Sequence, residues 1–436
     1  MTKTISFCRA TFRVESPTSV AAATLPIKNA VDLRLDRDAS GAIHIPPSTF
    51  AGSLRNHATR VHGEAWTNSL FGFVADEDDG SETKARASSV WFLDSSVTHA
   101  KVEQYVATAI SRHTGAAKLG TRRDSERLLA GATVSLDLRI DERLDDLIEL
   151  VTTWRPVVGR NRSNGYGELA VERVDYGSVD LGTPEGLAQW LSHSGPDLVS
   201  EVVRAHSATV AEASNEAQAI DLQMQVVEPW TSDPVKDEGE DGHKTYRLKT
   251  NADGLPRMSA ASQRGVLRSS ISFILTTLES PLRCRGEACE HDRWECRVFG
   301  HGGAADGVGR RSALTFRESP IVDGVSAFRT RNAIDRFTGG AARGALWRTE
   351  VVTEGMVHLR IEYRSVSDAD WQILLAALRL VIVDIQDGFV RFGAAVASGH
   401  GRFSVTTSTT GDPDADLMTL LAARTLLSPK DEVSAP

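Results

Sequence analysis

The sequence predicts an α+β protein built from two tandem copies of one domain, and three observations carry this. A set of landmark motifs recurs in the same order in both halves of the chain. Within each half, alternating apolar runs of strand type exchange with longer apolar runs of helical length. Glycine-rich turns close each half at matching places, and repeated order is the signature of a repeated unit.

The first half opens its helix at His44-Ile45-Pro46-Pro47-Ser48-Thr49-Phe50-Ala51-Gly52-Ser53-Leu54-Arg55 and reaches Leu70-Phe71-Gly72. The second half answers with Pro256-Arg257-Met258-Ser259, then Arg264-Gly265-Val266-Leu267-Arg268, a longer helix, and Val298-Phe299-Gly300. The Gly-x-Leu-Arg cores align without gaps. Next come Arg112-His113-Thr114-Gly115 and Arg336-Phe337-Thr338-Gly339, each followed by an alternating strand, residues 132–140 and 356–363. An apolar helix follows in each half, 144–154 and 369–380, then a glycine-rich turn, 159–167 and 393–401, and a last strand. Strand, helix, strand region, strand, helix, strand is the order of a ferredoxin-like fold, an open sheet like that of the RNA-recognition module. The expected boundaries are a first domain at 1–181, a polar and Ala-rich linker at 182–216, a second domain at 217–408 and a tail at 409–436.

Composition limits the function. With 436 residues, 41% hydrophobic and 25% charged, the chain has the balance of a soluble globular protein with room for two or three full cores. No run of about 18 apolar residues occurs, and residues 1–13 lack the apolar core of a signal peptide, so a cytoplasmic protein without membrane contact is expected. A net charge of −9 and a pI near 5.8 exclude a whole-molecule basic field, so any nucleic-acid surface must be local. Such patches are offered by Arg112, Lys118, Arg122, Arg123 and Arg127, and by Arg329, Arg331, Arg336, Arg343 and Arg348, although solvated faces look the same in sequence.

The paired Gly-x-Leu-Arg turns, the Phe-Gly after each helix, the Arg-x-Thr-Gly segments and the C-terminal Gly-x-Gly loops together resemble the RAMP superfamily of CRISPR-associated proteins. The set is similar to a backbone subunit of a type III effector complex, here two such RAMP domains in tandem with insertions. The resemblance implies a subunit that wraps crRNA, splays bases of the guide–target duplex with a hairpin or thumb, works beside other CRISPR effector subunits and cuts complementary target RNA. The chain departs from the family pattern at Pro47, where glycine is usual, at Ala51, where a basic residue is usual, and at Arg257-Met258, which replaces Ile-Pro.

Candidate residues follow. Ser48 and Ser259 read as helix N-caps, and amides exposed at a helix start suit a phosphate oxygen. Ser48, Arg55, Arg112, Arg160, Arg162, Ser262, Arg264, Arg268 and Arg336 are candidate RNA contacts, since positioning contacts to phosphate come from Arg, Ser and helix starts. The glycine turns read either as tight hairpins or as loops that let RNA approach the backbone. The resemblance places a catalytic aspartate just upstream of the first turn, where Asp32 fits best, with Asp36 and Asp38 as turn residues. Asp32 would act on the ribose 2′-hydroxyl with Mg2+ or Mn2+ neutralising the phosphate. The corresponding place in the second half is held by His243-Lys244-Thr245-Tyr246, which leaves Asp241 as the second candidate. Cys284, Cys289, His291 and Cys296 suit structural zinc, and clustered Cys and His in a chain with four cysteines favour metal over disulfides. Cys8 reads as core. A non-catalytic backbone subunit, a processing endoribonuclease for CRISPR repeat RNA and a nucleic-acid-free scaffold remain the alternative readings.

Overall fold

The computed structural model describes residues 4–20, 33–74, 85–111, 114–193, 195–211, 218–232, 235–238, 244–251, 253–284, 293–302, 309–363, 367–407 and 411–423. Backbone contacts divide the chain into two units, Met1–Arg162 with Tyr166–Asn215, and Glu216–Pro436 with Ser163–Gly165.

Unit one runs β1 (Thr4–Val14), α1 (Pro47–His62), α2 (Glu64–Phe71), β2 (Phe73–Val74), β3 (Ala85–Arg86), β4 (Val90–Thr98), β5 (Val102–Ala107), β6 (Arg123–Leu128), β7 (Thr133–Ile140), α3 (Leu144–Thr152), β8 (Leu169–Asp180), α4 (Pro184–Ser192), α5 (Gly195–Val202) and β9 (His206–Ala208). Its main sheet has the order β4-β7-β1-β8-β9, all antiparallel, which is the ferredoxin-like arrangement of the four long strands. Alternation decides which face is covered. Cys8, Ala10, Phe12 and Val14 of β1 and Val134, Leu136, Leu138 and Ile140 of β7 all point to one core. Helix α1 meets it with Phe50, Leu54, His57 and Ala58, an i, i+4, i+7, i+8 stripe. Phe12, Phe50 and Trp154 lock that core with ring centroids 5.5 to 6.1 Å apart. Cys8 is fully buried in it, and burial pushes its thiol up to about 12.

The stretch read as a linker, 182–216, is in its described part a piece of unit one. Leu198, Val199, Val202 and Val203 pack on Ile5, Phe7 and Val179, covering the opposite face of the sheet, and β9 extends the sheet beyond β8. Its helices are too short to display a stripe until the sheet supplies the other half of the core. Strands β5 and β6 form a separate two-stranded hairpin.

Unit two runs β10 (Gln218–Val226), β11 (Val235–Glu238), β12 (Lys244–Arg247), β13 (Arg257–Met258), α6 (Ala260–Thr277), α7 (Trp294–Phe299), β14 (Leu314–Phe316), β15 (Ser319–Ile334), β16 (Ala341–Tyr363), α8 (Asp368–Gln386), β17 (Phe403–Val405) and α9 (Pro413–Ala422). Its sheet path is β11-β12-β16-β10-β17, with β14 and β15 also paired to β16. The strand expected at 356–363 is only the inner end of β16, which spans 23 residues. Residues 325–334 of β15 and their partners on β16 form a long hairpin, in which β12 pairs with β16 only at 347–349 and the end of the hairpin projects beyond that row. The sequence hides it because a hairpin with no buried face shows no apolar period. Part of the expected tail is also built in, since α9 packs on α8 and Asp416 accepts a hydrogen bond from Arg379 at 3.2 Å.

One contact recurs in both units and explains why two landmarks travel together. In unit one, Arg55 Nη1 donates to the carbonyls of Gly72 (2.7 Å) and Phe71 (3.2 Å), and its Nη2 to Asn68 Oδ1 (2.6 Å). In unit two, Arg268 Nη1 donates to Gly300 O (3.0 Å), its Nε to Glu295 Oε1 (3.1 Å), and Arg264 donates to Phe299 O. The arginine of each Gly-x-Leu-Arg therefore satisfies the last carbonyls of the short helix ending in Phe-Gly, where a cation also suits the helix dipole. Glu295, whose side chain is 1% exposed, makes the second tie the costlier one to break.

Arg268→Ala should destabilise unit two by about 3–5 kcal/mol, because it strands a buried carboxylate, whereas Arg55→Ala should cost unit one about 1–3 kcal/mol for orphaned carbonyls. Urea unfolding read by hydrogen exchange in each unit checks this, and an equal or smaller loss for Arg268→Ala would contradict it.

Candidate nucleic-acid interface

The helix starts do not all behave as the sequence suggests. Ser259 caps α6, its Oγ accepting the Ser262 amide at 3.3 Å, and Ser262 is half-buried. Ser48 is not a cap: Pro46 holds that position with no side-chain bond, Pro47 begins the helix, and Ser48 is an exposed residue of its first turn. Two prolines in a row preset the backbone for helix entry and leave no role for a capping hydroxyl. Arg55, Arg264 and Arg268 are tied to the end of the following short helix as described above, so they support the fold directly.

The exposed cations lie elsewhere. Arg160 and Arg162 are exposed on the glycine turn of unit one, with the Arg160 amide donating to Ser19 O at 3.0 Å. The turn itself is tight, as is its counterpart in unit two. Gly167 (φ +84°) and Gly401 (φ +79°) would each push a Cβ to 1.9 Å from a carbonyl, that of Val158 or Phe392. Positive φ and close backbone approach both exclude a side chain there.

Arg336 is exposed at the turn of the β15–β16 hairpin, while Arg112 lies outside the described residues. Around Arg336 the hairpin carries exposed Arg329 and Arg343, with Phe337 98% exposed and Phe328 48% exposed. The Arg247 guanidinium sits 5.5 Å from the Phe328 ring. Asp335 shapes the turn: the Thr338 and Phe337 amides and the Thr338 hydroxyl bind its carboxylate and hold it below the usual carboxylate range. The β5–β6 hairpin is of the same kind, with exposed Lys118, Arg122 and Arg123, and Leu119 99% exposed between its strands. Arg127 is the exception in that patch, since it is buried between Tyr105 and Tyr166. Sequence reasoning counted the arginines and missed Phe328, Phe337 and Leu119. The available signal was an aromatic beside each of Arg329 and Arg336. Arginine forks next to bare rings offer phosphate contacts and stacking platforms together.

Asp32 and Asp241 lie outside the described residues, yet the chain after Asp32 is well placed. The Leu33 amide donates to Asp124 O at 3.1 Å, and the Leu35 amide to Glu126 Oε2 at 3.1 Å, which fastens this segment to β6. Unit two repeats the arrangement: the Leu248 amide donates to Glu350 Oε2 at 3.0 Å, and Tyr246 pairs with Thr349 as Leu33 pairs with Ser125. By this register Leu33 corresponds to Tyr246, so the position before it is Asp32 in one unit and Thr245 in the other. Asp38 is a turn residue, accepting from the Ser40 amide, the Ser40 hydroxyl and the Ala42 amide. Asp237 pairs with Arg247 at 2.7 Å across β11 and β12.

Of the four proposed metal ligands, Cys289 and His291 lie outside the described residues. Cys284 is half-buried and Cys296 fully buried in α7, and the Cys284 amide donates to Glu295 Oε2 at 2.8 Å. That bond closes the insertion at its base, bringing Cys284 beside the residue preceding Cys296. No group of three or more metal-binding side chains occurs among the described residues. No helix among them is long and apolar enough to cross a membrane.

No curated protein matches the chain. One solved structure that is similar is a chain of the type III-B Cmr-beta complex bound to cognate target RNA, at 14% identity and a TM-score of 0.32, over 39% of this chain and 60% of that one. This chain thus aligns with less than two thirds of that relative's length. The sequence profile of the RAMP superfamily matches residues 11–170 and 202–404, one stretch in each unit. Two ferredoxin-like sheets, each with its own arginine-tied helix end and its own glycine turn, are matched by one profile applied twice, and the chain belongs to the RAMP superfamily.

Proposed function

We propose that the chain is a backbone subunit of a type III CRISPR effector complex, holding crRNA and complementary target RNA alongside other CRISPR effector subunits. The observation that carries this reading is the β15–β16 hairpin, which bears exposed Arg329, Arg336 and Arg343 and the bare ring of Phe337 on a chain that is acidic overall. Cations grouped on one element supply phosphate contacts without a whole-molecule field, and an exposed ring stacks on a base of any sequence. The hairpin is the thumb, and Arg160 and Arg162 add a second group of phosphate donors in unit one.

Cleavage is assigned to unit one. The Asp32 carboxylate orients and deprotonates a ribose 2′-hydroxyl, whose oxygen attacks the adjacent phosphorus as the P–O5′ bond breaks; the leaving 5′-oxygen takes a proton from water, giving a 2′,3′-cyclic phosphate and a 5′-hydroxyl. A bound Mg2+ or Mn2+ would supply neutralisation of the phosphate charge. The Glu126 bond to Leu35 supports this reading, because it anchors the segment next to Asp32 on a strand of the hairpin. The register that sets Thr245 opposite Asp32 favours a second unit that holds RNA without cutting it, so Asp241 is assigned no catalytic part. Zinc at Cys284, Cys289, His291 and Cys296 would cross-link the insertion whose base the Cys284–Glu295 bond already closes.

Phe337→Ala should weaken binding of single-stranded RNA by about 1–3 kcal/mol, the worth of one stacking ring, in filter binding at fixed salt. With guide and target supplied, Asp32→Ala should abolish target cleavage and leave RNA binding intact, while Asp241→Ala should cleave normally. Cleavage that survives Asp32→Ala would remove the nuclease assignment. Cys289→Ser should lose one zinc per chain by elemental analysis, and full zinc content in that variant would dismiss the site.

A further inference from the structure

In both units the residue between the last two glycines of the glycine turn is a ring, and that ring is buried against an arginine of the unit's own hairpin. In unit one, Tyr166 is 2% exposed, and the Arg127 guanidinium carbon lies 4.8 Å from its centroid and 3.3 Å from that of Tyr105. The turn, β5 and β6 all meet at this one buried cation. In unit two, His400 is 1% exposed, and Arg331 Nη2 of β15 lies 3.2 Å from its Nδ1 and 3.0 Å from its Nε2. The glycines already close each turn, so the ring contacts are not needed for the turn itself.

We propose that Tyr166 and His400 are positioning residues for RNA binding: each ring grips one hairpin arginine and fixes the pose in which that hairpin meets RNA. This rests on the RNA-binding reading above and adds the residues that aim the hairpins. Two strands alone are marginal in water, so each hairpin needs support from outside its own strands; in unit two β12 braces the β16 side at 347–349, and His400 holds Arg331 on the β15 side. The glycine turn is a suitable anchor because positive φ and steric closeness leave its backbone one conformation.

The two grips differ in chemistry. Unit one uses a cation–π contact, and a tyrosine ring offers no basic nitrogen to protonate. Unit two needs a lone pair of neutral imidazole to accept from Arg331, so a proton both removes the acceptor and sets two cations face to face. The charged groups around His400 are Arg331 and Arg329 on β15, Arg391, which donates to the His400 carbonyl, and Glu228, which pairs with Arg391. Burial lowers the His400 pKa below the usual histidine range, aided by Arg331 and Arg329 and opposed by the Ser398 carbonyl and Glu228. The unit-two grip is therefore closed at neutral pH and opens only in acid.

The test uses the full chain, a single-stranded RNA oligonucleotide as probe, and hydrogen–deuterium exchange of the hairpin strands read beside RNA affinity. Tyr166→Leu should raise exchange across β5 and β6 and weaken RNA binding about tenfold, while Tyr166→Phe, which keeps the ring, restores both. His400→Leu should do the same to β15 and β16. Wild-type protection in that hairpin, taken relative to the intrinsic amide exchange rate at each pH, should fall as the pH drops below the histidine range, and His400→Tyr should keep its protection throughout. Unchanged exchange and affinity in both leucine variants overturn the proposal. A leucine variant that fails to fold leaves the decision to the pH profile, where identical curves for His400→Tyr and wild type overturn it. If exchange responds as expected but the wild-type chain binds no RNA, the RNA-binding reading itself fails, and the role given to the rings falls with it.

Discussion

Each unit depends on an arginine that closes a helix end. Arg55 and Arg268 begin in the first helix of their unit and finish on the carbonyls of a Phe-Gly that follows a second, shorter helix. The carbonyls at a helix C-terminus have no partner of their own, and a guanidinium can satisfy two at once. Without that tie the second helix has no fixed end, and the strand region that leads to the hairpin has no fixed start. The Gly-x-Leu-Arg and Phe-Gly landmarks are thus two halves of one contact.

Duplication of the frame has not meant duplication of the site. Glu126 and Glu350 accept backbone amides from equivalent segments, so both units hold the upstream loop against the hairpin in the same way. What stands on that segment differs, with Asp32 in one unit and Thr245 in the other. The cysteine-bearing insertion between α6 and α7 belongs to unit two, which also has the longer hairpin and the bare Phe337 ring. Shared backbone bonds preserve a geometry while the side chains around it are free to diverge.

The acidic total of the chain sharpens the electrostatic picture. Many arginines are already neutralised inside the fold, as Arg9 by Asp137 at 2.6 Å and Arg317 by Glu362 at 2.9 Å. Exposed cations on the hairpins and on the glycine turn of unit one, such as Arg122, Arg336 and Arg160, form local groups among other exposed cations such as Arg60 and Arg173. Screening over a Debye length of about 8–10 Å keeps such patches independent of the acidic surface elsewhere. A local field of this kind suits a partner that is threaded along defined elements.

The sequence by itself determined the repeat, the α+β order and the core, because alternation in β1 and β7 and the helical stripe of α1 are local periodicities that read directly onto faces. It also singled out the glycine turns, since Gly167 and Gly401 answer a backbone demand that no other residue meets. It could not tell which arginines face solvent. Arg55, Arg127 and Arg268 look like Arg160 or Arg336 in one dimension, and only folding brings carbonyls, a carboxylate or two tyrosine rings to them from distant positions in the chain. The long hairpin and the packed segment 184–208 were equally hidden, the first because it buries no face and the second because its apolar residues become a core only against the far side of the sheet. Local patterns set the elements; the tertiary structure decided the partners, because a partner is a contact between residues that sequence keeps far apart.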